Sequence, residues 1–62
     1  MYLVIMIIYD KGKHEIAKPV KTDRTASTMK SCATCDIYYD VFDTYERAYK
    51  FYKVNKEEIA KC

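Results

Sequence analysis

The sequence predicts a small α+β fold, an antiparallel three-stranded sheet packed on one C-terminal amphipathic helix. Three observations predict it. The chain opens on an apolar run, Met1 to Tyr9, rich in β-branched and aromatic residues and too short for a buried helix. Residues 36–42 alternate, with Ile37, Tyr39 and Val41 on one side and Tyr38, Asp40 and Phe42 on the other. Residues 45–59 then space their apolar side chains as a helix does. At 62 residues the chain is expected to form one domain over 1–62, near the lower size limit for an unassisted core.

Each element follows from local chemistry. Residues 2–9 form the first strand, expected at the sheet centre. Its run does not alternate, so both of its faces need cover. Asp10-Lys11-Gly12-Lys13 reads as a hairpin loop in which Gly12 supplies a positive φ. On the return strand His14, Ile16, Lys18 and Val20 share one face, opposite Glu15, Ala17 and Pro19. Pro19 cannot donate to a ladder, which puts this strand at an edge or ends it.

Residues 22–35 admit two readings. A short second helix around residues 23–34 would be capped by Asp23 or Thr22, with Ala26, Met29 and Ala33 on its inner face. The several Thr and Ser residues favour a turn or strand instead. After the strand at 36–42, Asp43-Thr44-Tyr45-Glu46 has capping-box spacing. The helix that follows sets Tyr45, Ala48, Tyr49, Phe51, Tyr52 and Ile59 on one half and Glu46, Arg47, Lys50, Lys53 and Glu57 on the other. Val54 on the wet side and Asn55 on the dry side predict a weakening near residue 55, leaving residues 56–62 as a turn or a short strand.

Composition narrows the class. Half the residues are hydrophobic and 32% are charged, which is globular rather than disordered. The net charge of +2 conceals a basic middle: residues 11–30 hold six basic against two acidic side chains. The N-terminal run falls short of the ~20 residues that span a bilayer and has no basic n-region or cleavage site. A cytoplasmic protein with no membrane association is the expectation, with its three cysteines reduced.

Candidate chemistry is sparse. Cys32-Ala33-Thr34-Cys35, with Cys62 and the single histidine His14, offers the donor types of a zinc site. Zinc would add stability that a small core lacks. The ligands do not fall in two close pairs, so ordinary thiols and no cofactor are expected. A redox role would need a strand before the Cys-x-x-Cys and a helix after it, the reverse of this order. The lone His14 has no nucleophile beside it, and one glycine makes no phosphate loop, so an enzyme is not expected.

Binding is the better-supported class. Tyr38, Tyr39, Tyr45, Tyr49 and Tyr52 cluster within one strand and helix, and tyrosine is favoured in contact surfaces. In size and build the chain resembles the small α+β proteins with which phages and mobile elements bind and block host machinery, including defence systems. That resemblance implies a non-catalytic inhibitor of a host protein or complex. Tyr2, Val4, Met6, Tyr38 and Phe42 are the expected anchors on an uncovered sheet face, rimmed by Lys11 and Lys13 of the hairpin. A homodimer could cover the same apolar strand. The alternative is a zinc-stabilised nucleic-acid-binding module using Lys11, Lys13, Lys18, Lys21 and Arg24.

Overall fold

The computed structural model describes residues 1–61 and arranges them as an antiparallel sheet with one C-terminal helix. Strand β1 (Tyr2–Tyr9) is central, as its continuous apolar character predicts. One side of β1 pairs with β5 (Cys35–Phe42) along its whole length, from Tyr2 opposite Phe42 to Tyr9 opposite Cys35. The other side pairs with β2 (His14–Ile16) and β3 (Val20–Lys21). Strand β4 (Thr28–Ser31) completes the sheet on the outer edge of β5, giving the order β2-β1-β5-β4 with β3 beside β1.

The sheet therefore has five strands where three were predicted. The β1–β2 connection turns as expected at Gly12, whose φ of 86° is the left-handed region that favours glycine. The return strand ends at Ile16, Pro19 lies in the break, and β3 resumes just beyond it. Met6 pairs with Ile16 but Leu3 pairs with Val20, so the return strand holds one extra residue between these two pairs. One inserted residue swaps the faces of everything after it. Val20 consequently shares a face with Glu15, contrary to the uninterrupted alternation.

Residues 23–34 do not form the second helix. Thr28–Ser31 is β4, and Cys32 to Cys35 is the turn into β5, closed by the Cys32 N–H donating to the Cys35 carbonyl at 2.7 Å. Helix propensity was poor in this Thr- and Ser-rich stretch, and the exposed edge of β5 offered a ladder to complete.

Helix α1 (Tyr45–Ala60) is capped by Thr44, whose Oγ1 accepts from the Arg47 N–H at 3.2 Å. The expected box of Asp43 and Glu46 is not formed; Asp43 pairs with Arg47 instead, at 3.6 Å. The helix also runs through residue 55 and takes in most of the expected tail. Asn55 satisfies its amide by donating to the Phe51 carbonyl at 2.8 Å, so a polar residue on the inner side breaks nothing.

The core lies between α1 and the β1 side of the sheet. Val4, Ala48 and Tyr52 are its buried centre, with Tyr2, Ile16, Phe42 and Phe51 packed around them. Rings extend the contact: Phe42 meets Phe51 at 5.1 Å, and Tyr2, Tyr45, Tyr49 and Tyr52 form a chain at 5.5–6.0 Å. No described helix is long and apolar enough to cross a membrane.

Candidate protein-docking face

Register assigns every sheet residue to a face, because residues directly opposed in a ladder point the same way. Val4 lies under the helix, so Tyr2, Val4, Met6 and Ile8 of β1 face it, together with Phe42, Asp40, Tyr38 and Asp36 of β5. The reverse side carries Leu3, Ile5, Ile7 and Tyr9 of β1 beside Val41, Tyr39, Ile37 and Cys35 of β5. No charged residue of the two central strands lies on that reverse side. No helix covers it.

The helix has thus packed on the more polar of the two faces. This corrects the expected anchors. Tyr2, Val4 and Phe42 belong to the core or its border, and Val4 is fully buried. Met6 and Tyr38 share the helix side and are half-buried. The short Asp43–Thr44 connection explains the choice. Phe42, the last strand residue, turns toward Phe51, and the helix must follow on the side to which Phe42 points.

The open face is built in cross-strand rows. Glu15, Ile7, Ile37 and Lys30 form one row across β2, β1, β5 and β4. Ile5, Tyr39 and Thr28 form the next. The crossover between β3 and β4 runs past the Leu3–Val41 end. There Ser27 Oγ accepts from the Val41 N–H at 3.0 Å, and the Arg24 guanidinium stands 4.8 Å over the Tyr39 ring. Leu3 is accordingly buried, while Ile5, Ile7, Tyr9, Ile37 and Tyr39 are only half-buried and Val20 is 51% exposed.

The hairpin rim is exposed as expected. Lys11 and Lys13 border a shallow hollow with Tyr9, Asp10 and Thr34, and Lys13 pairs with Glu15 at 3.4 Å. The wider basic set does not converge. Lys21, opposite Tyr2, belongs to the helix side, whereas Arg24 lies over Tyr39 on the open side.

The proposed zinc ligands are also separated. His14 pairs with Ile8 on the helix side, whereas Cys35 pairs with Tyr9 on the open side; Cys62 lies outside the described residues. Among the described residues no group of three or more His, Cys, Asp or Glu could hold a metal. Cys32 and Cys35 are free thiols. Lost hydration raises the Cys35 thiol above its ordinary range, helped by the hydrogen bond with Cys32 and by the charges of Cys32, Asp36 and Asp10. A thiol so placed is a poorer nucleophile and metal ligand. Partial burial likewise raises the Asp40 carboxyl, which lies opposite Val4.

Ile5, Ile7, Ile37 and Tyr39 line the face away from the helix in place of the expected anchors. Their signal was present: odd positions 37–41 are all apolar, whereas even positions 36–42 mix Asp36 and Asp40 with Tyr38 and Phe42. No protein-family model, curated protein or solved structure matches the chain.

Proposed function

We propose that the chain is a non-catalytic protein-binding module whose docking surface is the open sheet face around Ile5, Ile7, Ile37 and Tyr39. One observation carries this reading: α1 packs on the face holding Asp36 and Asp40 and leaves bare the uncharged face of β1 and β5. Monomeric proteins seldom leave contiguous apolar patches beyond a few hundred Å² in water, and larger ones mark interaction sites. Aromatic and aliphatic, with Glu15 and Lys30 on its flanking strands and Arg24 of the crossover over Tyr39, the face has the layout of an apolar interface core inside a polar rim. The narrower sense, an inhibitor that docks on host machinery, draws on the likeness in size and build to small phage and mobile-element proteins.

The test is the pair Ile5→Lys, Ile37→Lys. It should abolish capture of any protein partner, extract protein or second copy, while the circular dichroism spectrum stays that of the natural chain. Tyr45→Lys, on the exposed flank of the helix, should leave capture intact. Equal capture by all three chains would move the docking surface elsewhere.

A further inference from the structure

We infer that the open face is closed by a second copy of this chain, packed face to face about a twofold axis parallel to the strands between β1 and β5. The inference rests on the docking reading above and names its partner.

Three observations converge on a copy of the same chain. The first is area. A folded monomer of 7.3 kDa exposes about 4,200 Å² by the usual mass scaling. This chain exposes 4657 Å², an excess of roughly 500 Å². The eight-residue β1 and β5 with the shorter β2, β3 and β4, at ~3.4 Å per residue and ~4.8 Å between strands, make a face of about 400 Å². Two such faces together hide about 800 Å², an area that suits a weak, reversible dimer.

The second is the missing layer. Leu3, Val4, Ala48 and Tyr52, with Pro19, are the only buried apolar residues among those described. A core this small ordinarily needs reinforcement, and oligomerisation is one form of it. Packing a second sheet at ~10 Å would turn Ile5, Ile7 and Ile37 into the interior of a sandwich, with Tyr39 and the Arg24 guanidinium over it at the border.

The third is charge, and it selects the axis. Glu15 and Lys30 stand at opposite ends of one row, with Ile7 and Ile37 between them. Rotation about an axis along the strands keeps rows in place and exchanges the edges. Ile7 then meets Ile37 of the second copy, and Glu15 meets Lys30 at both ends. An in-plane axis across the strands would instead set the two Glu15 edges against each other. Lys13, one row away beside Tyr9, meets no basic residue in this arrangement, because its row ends at Cys32 and Cys35. Opposed charges at a rim fix register and reject wrong pairings.

Sedimentation equilibrium of the full chain, in reductant and low salt from 1 to 200 µM, tests this. A monomer–dimer equilibrium is expected for the natural chain. Glu15→Lys or Lys30→Glu alone should weaken it at least tenfold, and the double exchange should restore it to within about threefold. Ile7→Lys should leave only monomer, with its circular dichroism unchanged. A chain monomeric throughout overturns the inference. A dimer indifferent to Ile7→Lys, or a double exchange that restores nothing, also overturns it. If the chain is monomeric yet Ile5→Lys, Ile37→Lys loses capture of an extract protein, the docking reading stands and only its partner changes; if capture is also unaffected, both fall.

Discussion

Val4 illustrates how one side chain can belong to two different accounts. As a surface anchor its truncation would cost binding; fully buried against Ala48 and Tyr52, it costs the fold instead. Val4→Ala should remove about 1.5–3 kcal/mol of unfolding free energy, measured by urea denaturation. Domains of this size hold only ~3–5 kcal/mol, so the variant should be partly unfolded at 37 °C. Asp40, in the same ladder pair, carries the opposite sign. Partial burial raises its folded carboxyl above the unfolded value, so the native state binds the proton more tightly. Stability attributable to Asp40 therefore falls as pH rises from the ordinary carboxylate range through the raised value, and the cost is complete above it. Asp40→Asn should raise the thermal midpoint at pH 7 by a small amount, and the gain should vanish near pH 3. A lowered midpoint at pH 7 would mean that the carboxylate is favourably paired.

At the level of elements, the helix and the edge strands owe their existence to different causes. Helix α1 has its own start signal in Thr44 and an inner stripe centred on Ala48 and Tyr52. Loss of the cap in Thr44→Ala should cost about 1 kcal/mol by urea denaturation, because the Arg47 N–H loses its acceptor. Aspartate at the same position should retain most of that stability. Strand β4, by contrast, has four exposed residues and little intrinsic preference. It exists because β5 presents an unpaired edge, and its brevity and Lys30 discourage further strand addition.

For the whole molecule, the decisive fact is that one helix cannot cover two faces. The layer it leaves out is the uncharged one. If the open face takes a second copy, folding and dimerisation are linked by mass action. The thermal midpoint of the natural chain should then climb by several degrees between 2 and 200 µM. Glu15→Lys should flatten that dependence, read by calorimetry across the series.

The sequence alone determined the α+β class, the central first strand, the glycine turn at Gly12 and the C-terminal helix. Each is written in local periodicity or in one residue's backbone chemistry. It also determined which residues share a face along β1 and β5, because alternation is intrinsic to a strand. Tertiary structure decided the rest. The short strands β3 and β4 arise from ladders offered by distant segments, which no local pattern in residues 20–31 records. The choice of face was settled by the two-residue connection that commits the helix to the side of Phe42. A single reversal of that choice moved the uncovered face from Val4 and Phe42 to Ile5 and Ile37. Strand pleat divides residues into two sets, but only the path of the chain says which set is hidden from water.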